Sequence, residues 1–280
     1  MAVPKRVHYF HADACAFGGY FERPIEHTVP PQAPMSLSPS GGYGSARSEN
    51  FQLEGVMSYK SAYTQVSGRL SKKEGHGWVT LATAVIEGLN VLNVLTADRI
   101  SAQISTEHPL EGDNPKVTFL GTSFDNLKIA GYPIDIKLDL DICDQGNGDD
   151  YPNEPCINDD RFLRRVAEQY KRINNPKELP EWVKDRSIPD WIKTRYSWDT
   201  EDEGECNIVC SIVKEASGEF PGTPFGNILE VPDFGRVFLG ELLVDCKSYR
   251  LIMARMELGC SGEGSSSVGI VMGNGSTEPP

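Results

Sequence analysis

Residues 78–105 read WVTLATAVIEGLNVLNVLTADRISAQIS and residues 117–142 read VTFLGTSFDNLKIAGYPIDIKLDLDI, separated by a polar break, EHPLEGDNPK, at 107–116. Both stretches are dense in β-branched and aliphatic residues and are interrupted by Gly, Asn and Asp, the composition of strands joined by turns. The final segment alternates strictly. Ile134, Ile136, Leu138, Leu140 and Ile142 point one way, while Asp135, Lys137, Asp139 and Asp141 point the other. Period 2 marks a sheet with one dry and one wet face. The expected fold is therefore mainly β: a large antiparallel β-sandwich, or a partly solenoid-like body, spanning 1–280 as one domain and carrying a helical insertion. Residues 88–104 and 123–138 echo each other as strand, small polar turn, strand. Two imperfect copies are fewer than a solenoid needs, so they read as two similar hairpins of one sandwich.

Working outward, residues 7–22 (VHYFHADACAFGGYFE) read as a strand with Ala12, Ala14 and Ala16 on one face, small enough to admit a second layer closely, and His11, Asp13 and Cys15 on the other. Residues 23–48 are rich in Pro, Gly and Ser and read as an extended surface arm, because repeated proline removes backbone donors. Residues 143–205 change character. A polar loop leads into RFLRRVAEQYKRINN, where Phe162, Leu163, Val166, Tyr170 and Ile173 recur at helical spacing. Asp159 or Asp160 is the expected N-cap, and Asn174-Asn175-Pro176 the stop. Two short helical pieces follow at 178–187 and 189–198, and strands return from Cys206 to Val271.

A chain of 280 residues with 39% hydrophobic content can bury a large core. Its 40 acidic against 27 basic residues give a net charge of −13, which disfavours nucleic-acid partners and anionic membranes. No stretch approaches the length of apolar residues that a spanning helix requires, so membrane insertion is not expected. The opening MAVPKRVHYF lacks a charged region followed by an apolar run, and together with seven cysteines, an odd number, it points to a cytoplasmic protein with reduced thiols. Two pairs stand out: Cys143 and Cys156 bracket an acidic loop and could bridge on export, whereas Cys206 and Cys210 share a strand face too far apart to bond.

Three constellations could carry chemistry. His11, Asp13 and Cys15 supply imidazole, carboxylate and thiol, all catalytic or zinc-type donors, although alternate residues on a flat strand lie about 6.5–7 Å apart and converge poorly on one ion. Asp139, Asp141, Asp144 and Asp149, with Asp135, Asn147 and Asp150 nearby, offer the oxygen donors that a divalent cation such as calcium takes, but their spacing departs from the EF-hand loop. Trp182, Trp191, Trp198 and Arg195, with Tyr196 and Arg186, are the residue types that anchor ligands and partners, and equally those that would bury an insertion against a sheet. No nucleophile elbow, Walker loop, HExxH or dinucleotide fingerprint is present.

The segments Ala97-Asp98-Arg99-Ile100 and Gly121-Thr122-Ser123 to Leu127-Lys128-Ile129-Ala130-Gly131 resemble the repeated strand pattern of bacterial choice-of-anchor β proteins, over residues 85–136. The resemblance implies a β body and no catalytic residues. The functional expectation is a non-enzymatic binding or self-assembly protein, with a homo-oligomer or protein partner. The alternative is an enzyme or small-ligand carrier, metal-assisted, with its pocket between the sheet and the Trp-rich insertion.

Overall fold

The computed structural model describes residues 6–23, 26–53, 55–74, 76–112, 114–146, 148, 150–183, 187–197, 207–246, 248–259 and 263–278. Among these, the chain runs through β1 (Val7–Arg23), β2 (His27–Gln32), β3 (Met35–Ser36), β4 (Gly42–Leu53), β5 (Met57–Leu70), β6 (Trp78–Val91) and β7 (Leu95–His108). Short strands follow: β8 (Lys116–Thr118), β9 (Ser123–Asp125), β10 (Lys128–Ile129), β11 (Tyr132–Pro133) and β12 (Asp135–Leu138). After helices α1 (Asp160–Ile173) and α2 (Asp190–Arg195) come β13 (Asn207–Ser211), β14 (Val213–Ser217), β15 (Thr223–Phe225) and β16 (Ile228–Val231). The last three strands are β17 (Gly235–Asp245), β18 (Tyr249–Leu258) and β19 (Glu263–Glu278).

The strands assemble into an antiparallel sandwich. One sheet has nine strands in the order β15-β16-β17-β18-β19-β1-β2, with β13 on β17 and β3 on β1. The other has eight, β11-β10-β7-β6-β5-β4, with β8 and β9 on β7. A two-stranded ribbon, β12-β14, completes the set among the described residues. Strands β1 and β19 of the first sheet pack across β5, β6 and β7 of the second. The alternation in β1 does what its sequence predicts. Ala12, Ala14 and Ala16 are buried and let the layers meet, while Tyr9 and His11 face out. On the opposing sheet Ala82, Ala84, Ile86, Ile100, Ala102 and Ile104 fill the space between.

The two echoing segments are hairpins of the eight-stranded sheet. Val91 pairs with Leu95 across the β6–β7 turn, where Asn90 bonds back to Asn93. Ile129 pairs with Tyr132 across Ala130-Gly131, both at positive φ. The alternating 134–142 segment keeps Ile134 and Ile142 buried and Asp135 and Lys137 exposed, but only Asp135–Leu138 is strand, paired to β14. Beyond it the chain turns at 140–143.

Residues 23–48 do not form a free arm. They supply β2 and β3, both paired to β1, and the first half of β4, paired to β5. The physical reason is position: a strand at the border of a sheet has one side with no ladder to feed, so Pro30 and Pro31 in β2 cost nothing there. In the insertion, α1 matches its predicted span. The Asp159 carboxylate accepts from the amides of Arg161 and Phe162 at 3.0 and 2.8 Å, and Phe162, Val166, Tyr170 and Ile173 form its buried face. The two expected helical pieces after it are a 3-10 turn at Glu181–Val183 and α2.

Candidate functional site

The insertion is held to the nine-stranded sheet by polar bonds as well as by aromatic side chains. Gln169 of α1 is buried, and its amide completes the main chain of Ser211: the carboxamide oxygen accepts from the Ser211 amide at 3.0 Å and the nitrogen donates to the Ser211 carbonyl. Tyr170 donates to the Val209 carbonyl and Arg172 to that of Lys214. At the far end, Arg195 of α2 donates to Glu241 Oε1 at 3.0 Å, and Arg255 grips the same carboxylate through Nε and Nη2. The Glu241 side chain is 2% exposed. Such a carboxylate is tolerable in the interior only because two guanidinium groups neutralise it and satisfy its oxygens. The Arg255 guanidinium lies 3.8 Å from the Phe238 ring centre, with Arg195 over the same ring at 5.4 Å. Trp191 packs edge-on to Phe238, with Arg236 stacked 4.0 Å over it.

Trp191 and Arg195, expected as ligand contacts, are thus engaged in fixing the insertion to the sheet. Trp198, Arg186, Asp149 and Asn147, together with the side chain of Trp182, lie outside the described residues, as do Cys206 and Cys260. A cavity of about 440 Å3 opens between α1 and β14, walled by Arg172, Ile173, Pro180, Val213 and Gly218 among others, but Trp191 does not line it.

The outer face of β1 carries a different feature. Cys15, Pro31, Pro34, Met35, Ile270 and Met272 line an open, mostly apolar groove of about 480 Å3, with Asp13 and Arg250 supplying charge. The strand pairing builds it: Asp13 faces Met272 and Cys15 faces Ile270 across β1–β19, while Arg250 faces Met272 across β18–β19. Its floor passes Gly18 and Gly19. A Cβ on Gly19 would fall 2.5 Å from the Ser266 Cβ and 2.8 Å from the Ser265 carbonyl, so only glycine permits that approach. Two of the three residues predicted on this strand face therefore meet at the groove.

The third, His11, sits beyond it, its Nε2 2.9 Å from Asp13 Oδ2 in an exposed pair. The Cys15 thiol donates to the carbonyls of Phe17 and Gln32 at 3.2 and 3.7 Å, and burial holds it above the ordinary thiol range. Four strand steps separate His11 from Cys15, about 13 Å between Cα atoms. Three groove serines, Ser265, Ser266 and Ser267, face Tyr20, Gly19 and Gly18, farther still from the imidazole, whereas the fourth, Ser36, stands opposite Asp13 across β1–β3. Among the described residues the His–Asp pair makes no side-chain hydrogen bond to Ser36 or to the Cys15 thiol. Asp139 gives its amide to the Ile212 carbonyl, Asp144 accepts from Gly146, and Asp141 is exposed. Among the described residues no three His, Cys, Asp or Glu gather closely enough to hold a metal ion.

Two buried clusters go beyond the sequence reading, which paired Cys143 with Cys156 but joined neither Cys210 to them nor His8 to His108. His8 stacks on Trp78 at 4.9 Å, meets Phe10 edge-on at 4.6 Å, and lies 4.8 Å from the ring of His108. Burial drives both imidazoles down to about 4, His108 further disfavoured by its neighbour. Gly275 makes room for them: a Cβ there would strike both Nε2 atoms. Beside them, His76 and Tyr151 both bond the Glu107 carboxylate. The second cluster is Cys143, Cys156 and Cys210, all buried and unbridged. A bond to Cys156 and burial raise the Cys143 thiol well above its usual range. The acidic loop therefore closes on two thiols in contact, not on a disulfide.

Comparison with known proteins places the chain in a family. Residues 8–245 match the model of a family described as a domain of unknown function, DUF8256. No curated protein and no solved structure gives a match.

Proposed function

The chain belongs to the DUF8256 family, whose description assigns no activity, and we propose that it is a non-catalytic binding protein whose ligand lies in the groove over β1, β18 and β19. The observation that carries the reading is the groove itself. About 480 Å3 of mostly apolar concavity, with one carboxylate and one guanidinium among its walls, is the size and make-up of a site for a small, largely apolar ligand with a polar end. The chemistry around it supports binding over turnover. Cys15 is a hydrogen-bond donor with a raised thiol, the His11–Asp13 pair is solvent-exposed, and no hydrogen bond joins that pair to Cys15 or to Ser36, which stands opposite Asp13. The cavity between α1 and β14 supports the carrier alternative in a second place, but its walls mix charged and apolar groups without a dominant apolar face.

The test uses 1-anilinonaphthalene-8-sulfonate, an apolar ring system with an anionic end, titrated into the full chain and into an Ile270→Gln variant. Saturable binding by the parent, weakened about tenfold in the variant, is expected from the loss of one apolar wall. Thermal unfolding of both establishes that the variant is folded. Equal binding by the two proteins, or none by the parent, refutes the groove as a ligand site.

A further inference from the structure

A sheet border exposes a row of backbone donors and acceptors, and folded proteins blunt such borders with prolines, short strands or bulges. The two main sheets end in four strands, β15, β2, β11 and β4. Three are blunted. β15 has three residues with Pro224 in the middle, β11 has two and includes Pro133, and β2 carries Pro30 and Pro31. The strands attached off the main order are five residues or fewer. β4 is the exception. It has twelve residues and no proline, and its register against β5 keeps one alignment from Gly42 to Leu53, interrupted at Asn50, which stands at positive φ. Among the described residues no strand covers its other side.

The charges on β4 identify what fits there. Arg47 and Glu49 are both exposed and point to the same outer side, pairing with each other along the strand at 2.6 Å. In an antiparallel pairing of β4 with a second β4 about a two-fold axis through Ser48, residue 47 of each copy stands opposite residue 49 of the other. Arg47 then faces Glu49 twice, once on each side of the axis, which is the self-complementarity that an isologous dimer requires. A partner of arbitrary sequence gains nothing from this spacing.

We propose that β4 is a homodimerisation edge: two copies of the chain join their eight-stranded sheets through antiparallel β4–β4 pairing centred on Ser48. The interface is independent of the groove, which lies on the other sheet, so failure of either reading leaves the other standing.

Charge exchange tests it. Arg47→Glu and Glu49→Arg each place like charges opposite one another twice, and each is expected to weaken dimerisation about ten- to a hundredfold. Both side chains are more than half exposed, so the monomer fold is undisturbed. Mixed in equal amounts, the two variants restore opposite charges across the axis, and a heterodimer is expected where each alone is monomeric. Sedimentation velocity over a concentration series, with one variant mass-tagged, reads all three states. A parent that stays monomeric at high concentration overturns the proposal. So does dimerisation of the single variants at the parent's affinity, or a mixture that remains monomeric.

Discussion

Acidification should weaken this protein through two side chains before its carboxylates are involved. In an unfolded chain the imidazoles of His8 and His108 take up protons near pH 6.5, whereas in the folded protein both resist until about pH 4. Between those values the unfolded state binds more protons, so stability falls as pH falls; above pH 6.5 both imidazoles are neutral in either state and the contribution is complete. At pH 5 each site has lost about 2 kcal/mol relative to pH 7.5, from the part of the 2.5-unit window then crossed. Together they remove up to about 4 kcal/mol from a domain whose total is on the order of 10 kcal/mol. The position explains the cost. His8 is 7% and His108 3% exposed, the rings are 4.8 Å apart, and a protonated pair would set two cations between the sheets against Trp78 and Phe10. The assay is urea unfolding at pH 7.5, 6.0 and 5.0 for the parent and for a His8→Gln/His108→Gln variant. Comparing the change with pH, not the absolute stability, cancels whatever packing the substitutions damage. The variant curve should be flatter by up to about 4 kcal/mol across this range. Parallel curves would refute the reasoning.

Three further outcomes are expected. Glu241→Gln leaves Arg195 and Arg255 without their shared charge and should cost about 3 kcal/mol in urea unfolding, whereas Lys137→Ala, at an exposed pair with Glu215, should leave the midpoint unchanged. Gly19→Ala should destabilise by about 1–3 kcal/mol because its Cβ meets Ser266 and the Ser265 carbonyl; Gly18→Ala, whose nearest neighbour is the Pro31 Cα at 3.7 Å, should be tolerated, and a reversed order of midpoints would contradict the packing described. Iodoacetamide should modify Cys246 in the native protein while sparing Cys143, Cys156 and Cys210 until denaturant is added, as read by peptide mass spectrometry.

Periodicity made the β architecture legible wherever neighbours in sequence decide burial. The alanine face of β1, the hairpin at Asn90–Asn93 and the Asp159-capped α1 were all readable because each depends on local geometry. The prolines of 23–48 misled for a specific reason: proline rules out the interior of a sheet but not its border, and the border is where β2 lies. The groove was half legible, since alternation placed Asp13 and Cys15 on one face, but its opposite wall comes from Ile270 and Met272, more than 250 residues away. His8 was assignable to the inner face, yet its pairing with His108 is made across the sandwich and leaves no periodic trace. Glu241 did leave one: a carboxylate between Gly240 and Leu242 in a strand otherwise nearly all apolar, VFLGELLVD, demands a buried partner.

The pairing of β1 with β19 also sets a timetable. Val7 meets Glu278 in that ladder, so this seam of the nine-stranded sheet joins segments more than 250 residues apart in the order of synthesis. At about 5–20 residues per second, β1 waits tens of seconds for its neighbour. Strands β4 to β11 are contiguous in sequence and can assemble during that wait. The inner face of β1, with Phe10, Ala12 and Ala14, can dock on them but keeps an open border until β19 arrives. Refolding should therefore be slow and concentration-sensitive, limited by the capture of the last strand, with the vulnerable species a nascent sandwich lacking one seam.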